Sequence, residues 1–98
     1  MSGKGKEAVA APKLDFATFI LSLSHSALVH LGEAPHPDGD APQRDLELAR
    51  QTIDMLGMLE EKTRGNLTGD EERMLSQVLY DLRMRFLELS KVDQGKKA

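Results

Sequence analysis

The chain contains His25, His30 and His36 and no cysteine. Thiolate nucleophiles, thiolate zinc sites and a disulfide framework are therefore excluded, and any ligand or base chemistry falls to the histidines. His25 and His30 stand five residues apart and would project about 140° from one another on a helix, whereas paired helical ligands need a spacing of three or four. They form no metal pair. His30 falls within an apolar face near a helix C-terminus and reads as a hydrogen-bonded structural histidine rather than a ligand or base. His36 shares a proline-rich stretch with Glu33, Asp38 and Asp40, an exposed acidic turn that needs no metal to explain it.

The other reactive types are equally unorganised. No Glu-x-x-His pair falls on a helix, so di-iron bundle chemistry has no ligand set. Neither a phosphate-binding Walker A loop nor a dinucleotide fingerprint is present. Ser22 and Ser26 have no base on a matching helical face. An enzyme would have to be built from His25 or His30 with a carboxylate such as Glu60, the least supported of the readings considered, and no cofactor or metal is expected. Asn66-Leu67-Thr68 matches the glycosylation sequon but reads better as a helix terminator followed by an N-cap.

Charge narrows the partners. Thirteen Lys and Arg face sixteen Asp and Glu, a net charge of −3, so no overall basic field draws in nucleic acid or anionic lipid. Arg73, Arg83 and Arg85 share one segment with acidic neighbours and read as a solvated, salt-bridged face. The aromatics are Phe16, Phe19, Tyr80 and Phe86. Three of them lie inside apolar patterns, which makes core their default role rather than base stacking. A chain of 98 residues with 40% hydrophobic and 30% charged residues is a single small globular domain.

The elements that would position these groups are helices. Residues 1–14 show no period that could bury a face and read as a flexible tail. Glu7 and Asp15 interrupt the pattern of a secretory signal. The apolar run Phe16 to Leu31 would rise about 24 Å as a helix, short of a hydrocarbon core of about 30 Å. Asp15 is a good N-cap and Gly32 a good terminator, which predicts a first helix over about 16–31. Residues 33–44, with three prolines and Pro-Asp-Gly, forbid helix and form a surface connection. Asp45 caps a second helix ending near Gly65-Asn66, with Leu46, Ala49, Ile53 and Leu56 beside a second row of Leu48, Thr52, Met55 and Leu59. Gly57 in mid-helix costs about 1 kcal/mol relative to Ala and predicts a close helix crossing there.

Thr68 with Glu71 forms a capping box that opens a third helix over about Gly69 to Ser90. Leu75, Val78, Leu79, Leu82, Phe86 and Leu89 lie on one stripe of it, while Tyr80, Met84 and Leu87 cluster on the far side. Residues 91–98 are expected to fray. The short link makes the second and third helices an antiparallel hairpin. The expected fold is all-α, a domain over 15–90 in which the first helix packs on this hairpin and on a partner chain.

That last expectation comes from the first helix. Phe16, Phe19, Ile20, Leu23, Ala27, Leu28 and Leu31 form a wide apolar face, and Thr18, Ser22, His25, Ser26 and Val29 occupy the remainder without a formal charge. A solvent-facing side ordinarily carries Lys or Glu, as the other helices do. Thr18, Ser22 and Ser26 recur every four residues and permit a close helix approach, so a homodimer or higher homo-oligomer through this row is expected. A peripheral membrane role, with this helix lying in the interface beside Lys4, Lys6 and Lys13, is the alternative.

The segments DFATFILSLSHSALVHLGE, DLELARQTIDMLGMLEEKTRGNLTGDEE and QVLYDLRMRF together resemble the small bacterial family catalogued as domain of unknown function 1844. The likeness covers about residues 15–89, with phrases beginning at Phe16, Leu46 and Asn66 in order and at family-like spacing. It implies a helical protein of the bacterial cytoplasm. It carries no assigned reaction and so no catalytic residues. The function expected is a self-associating interaction or adaptor module, not an enzyme, with a further protein partner open.

Overall fold

The computed structural model describes residues 15–39, 41 and 43–97, with side chains through Gln94. The expected tail at 1–14 lies outside the described residues. Helix α1 spans Phe16–His30. Asp15 opens it: its backbone is extended and its carboxylate accepts from the Thr18 N–H at 2.8 Å, satisfying one of the amides that the first turn leaves unpaired. Gly32 closes it. Its φ of 78° is left-handed, and this lets the Gly32 and Glu33 amides donate back to the Val29 and Leu28 carbonyls at 3.0 and 2.9 Å.

The proline-rich connection returns to its own starting point. The Asp45 N–H donates to the His30 carbonyl at 2.6 Å, so the start of helix α2 (Leu46–Lys62) abuts the end of α1. The Asp45 carboxylate also caps α2 by accepting from the Leu48 N–H at 3.1 Å. Gly65, with φ 85°, turns the chain after Thr63. The capping box expected at Thr68 is formed in both directions: the Glu71 N–H donates to the Thr68 hydroxyl at 3.2 Å, and the Thr68 N–H donates to the Glu71 carboxylate at 2.9 Å. Helix α3 spans Gly69–Lys97, with Asp70, Glu71 and Glu72 complementing the positive end of its dipole.

Among the described residues there are three helices and no strand. They pack around one core in which Ile20, Ala27 and Leu31 meet Ala49, Ile53 and Leu56 of α2 and Leu75, Leu79 and Leu82 of α3. The α2–α3 pair is the predicted antiparallel hairpin, with Glu60 opposite Ser76 and Leu46 beside Ser90 and Asp93. Thr52 is buried, and its hydroxyl is satisfied by the Leu48 carbonyl at 3.1 Å. Val78, Phe86 and Leu89 pack on the edge of this core.

Two expectations are corrected. The third helix, expected to end near Ser90, runs seven residues further, to Lys97. Its extension is tied to the rest of the bundle because Arg44 ion-pairs with Asp93, and neither residue announces that long-range partnership in the sequence. Gly57 marks no backbone crossing. A Cβ built there would meet only the end of the flexible Arg83 side chain, at 2.9 Å, whereas a Cβ on Gly32 would press on the Arg44 backbone at 3.3 Å as well as strain its own φ. Gly57→Ala should therefore raise stability by about 0.5–1 kcal/mol, the helix-propensity gain, while Gly32→Ala lowers it by about 1–2 kcal/mol or more. Chemical denaturation of both variants checks this opposition in sign. Thr68→Ala should cost about 1 kcal/mol by the same measurement, because the Glu71 amide in the first turn loses the hydroxyl that caps it.

Candidate interaction surface

α1 packs against both other helices and has no charged residue anywhere in its length. The side turned inward is fixed by Ile20, Ala27 and Leu31, all fully buried. Opposite them, Ser22, His25 and Ser26 are exposed, as the spacing predicts, and Thr18 is half-buried beside the N-cap. Val29 is the exception in the expected row. It is only 5% exposed within the single chain, outside the central cluster, so it does not stand on the free face.

The free face is more apolar than the sequence pattern shows. Phe19, expected in the core, is 41% exposed, and Leu21 is 55% exposed. The signal for Phe19 was its place beside Ser22 and Ser26, three and seven residues on, which puts it at the border of the core sector rather than its centre. The outward surface of α1 thus comprises Thr18, Phe19, Leu21, Ser22, His25 and Ser26. It has hydroxyls and one imidazole for hydrogen bonds, two large apolar side chains for burial, and no carboxylate, ammonium or guanidinium.

Beside it, towards α3, the surface changes character. Arg85 donates to Asp81 at 2.8 Å and to Glu33 at 2.6 Å. These carboxylates, Asp81 first, raise the Arg85 pKa above its ordinary value. Since a raised arginine pKa lies above any working pH, this guanidinium stays charged and its ion pairs do not titrate away through arginine deprotonation.

The other candidate chemical groups are not assembled into a site. His30 is half-buried and, with His36, Gln43, Arg44, Asp45 and Leu48, lines a hollow of about 390 Å³. It is the His30 backbone carbonyl that is hydrogen-bonded, to the Asp45 N–H. The imidazole makes no hydrogen bond among the described residues, contrary to the expected bonded side chain. Glu60 accepts from Ser76 at 3.3 Å on the α3 side of α2, and no hydrogen bond joins it to His25 or His30. Among the described residues no group of three His, Asp or Glu could hold a metal ion. No helix among them is long and apolar enough to cross a membrane.

Fold and surface together define a small all-α bundle with one uncharged helix on its outside. The chain belongs to the family described as Domain of unknown function (DUF1844), whose model matches residues 13–88, in agreement with the resemblance drawn from the residues. No curated protein and no solved structure matches it.

The matched span includes Arg44 and the Glu33–Arg85 ion pair but ends before Asp93, the ion-pair partner of Arg44. Arg44 also donates to the Leu31 carbonyl at 3.4 Å, holding the turn that ends α1. Arg44→Met should therefore lower stability by about 1 kcal/mol, more than the few tenths of a kcal/mol expected for Arg85→Met, whose more exposed side chain makes ion pairs but no backbone bond. Thermal melts of the two variants against the parent check the order.

Proposed function

We propose that this domain is a non-catalytic interaction module of the bacterial cytoplasm that pairs with a second copy of itself through the outward face of α1. The observation that carries the reading is the exposure of Phe19 and Leu21 on a helix without a single charge. An uncharged helix face with two large apolar side chains is an association liability for a monomer, and the small side chains of Ser22 and Ser26 between them allow a second helix to come close. Two-fold pairing needs a patch complementary to itself, and a neutral patch meets that condition without matching opposite charges.

The bacterial and cytoplasmic setting rests on the family likeness. Among the described residues no hydrogen bond joins His25 or His30 to a carboxylate, which favours a binding role over a chemical one. A further protein partner would complete an adaptor.

Ser22→Lys separates pairing from folding, because Ser22 is exposed in the single chain and a lysine there disturbs no intramolecular packing. In the pair it would bury an unpaired ammonium, a cost of several kcal/mol. Light scattering after size exclusion at high micromolar concentration should give the wild type a mass of at least twice 10.8 kDa and Ser22→Lys a monomer mass. A monomeric wild type, or a variant that keeps the wild-type mass, overturns the proposal. Robust co-sedimentation of folded protein with anionic liposomes would favour the membrane-interface reading instead.

A further inference from the structure

The uncharged surface does not end at the edge of α1. His30 of α1 and Leu48 of α2 line the same hollow, which marks the row of α1 that borders α2. Stepping back from His30 at helical spacing, that row continues through Ser26 and Leu23 to Phe19. On α2, the flank towards α3 is marked by Gly57 beneath Arg83 and by Glu60 bonded to Ser76. Leu48, Thr52, Met55 and Leu59 run along the other flank, beside α1. Thr52 is buried and Leu59 half-buried, but Leu48 remains 42% and Met55 47% exposed. Lys62 is the first charge met along that row.

We infer that the second copy docks across the α1–α2 seam, so that Leu48 and Met55 of α2 complete the interface begun by Phe19, Ser22 and Ser26. The inference rests on the self-association reading and names the surface that pairing uses. Area supports it. The outward half of a helix 15 residues long is a half-cylinder of roughly 350 Å², while a stable interface needs about 800 Å² from each partner. Two helices side by side approach that figure and one does not. Direction follows from charge: growth of the interface towards α3 would bring in Glu33, Asp81 and Arg85, already ion-paired with one another, whose desolvation is costly. Growth onto α2 meets Leu48, Thr52, Met55 and Leu59, with charge only at the two ends of the row, at Arg44 and Asp45 beside Leu48 and at Lys62. In such a pair α3 stays outside, with Tyr80, Met84 and Leu87 facing away from the partner.

Leu48→Lys and Met55→Lys test the seam, with Leu87→Lys on α3 as the control; all three positions are exposed in the single chain, and circular dichroism verifies helix content. Sedimentation equilibrium of the full chain should show the dimer Kd raised at least tenfold by each seam variant and changed less than twofold by Leu87→Lys. A second readout avoids charge altogether. The chain has no cysteine, so Met55→Cys and Leu87→Cys each carry one thiol, and modification by a maleimide should slow at least tenfold above the dimer Kd for Met55→Cys only. Seam variants that dimerise like the wild type, while Ser22→Lys dissociates, overturn the inference and leave self-association standing. Equal thiol protection at positions 55 and 87, or equal disruption by Leu87→Lys, also overturns it. A monomeric wild type overturns both.

Discussion

A helix in a three-helix bundle can turn only one sector of its circumference towards the other two, and burial of that sector is what holds this chain together. Nine apolar side chains, three from each of the segments forming α1, α2 and α3, supply it. The large ones among them each contribute about 1.5–3 kcal/mol when fully removed from water. With so small a core, in a chain whose net stability is expected to be only several kcal/mol, the caps and turns that fix helix ends matter as much as the packing they orient. Asp15, Asp45 and Thr68 each begin a helix by accepting a backbone N–H, and Asp45 and Thr68 lie where the chain changes direction.

The same limit decides what is left outside. α2 and α3 present charged residues on their outer sectors, and these are organised into local pairs such as Arg50 with Glu47 and Asp54, or Arg73 with Asp70. α1 has no such residues to present. Its outer sector must meet water with hydroxyls, an imidazole and two large apolar groups, or meet another protein surface. The functional reading follows from that contrast between helices of one bundle.

Long-range ion pairs give the connection its role. Arg44 joins the end of α1 to the far part of α3, and Arg85 joins Glu33, just past α1, to the middle of α3. Exposed pairs contribute little individually. Placed at both ends of a fifteen-residue connection that begins at Leu31 and ends at Asp45, they select where it lies, and they draw the boundary between the charged and uncharged sides of the surface.

Local chemistry in the sequence determined the three helices, their caps at Asp15, Asp45 and Thr68, the left-handed turns at Gly32 and Gly65, and the hairpin, because each depends on residues within a few positions of one another. The uncharged row of Ser22, His25 and Ser26 was legible for the same reason: it is a periodicity within one element. Tertiary structure decided the rest. Whether Phe19 or Val29 is covered depends on how far α1 is rotated against its neighbours, a few tens of degrees that periodicity cannot resolve at the border of a face. Leu48 and Met55 read as core from their spacing, yet remain exposed because the two neighbours of α2 cover only part of its apolar arc. The extension of α3 to Lys97 and the pairing of Arg44 with Asp93 join residues forty-nine positions apart, and only the folded chain brings such groups within reach of each other.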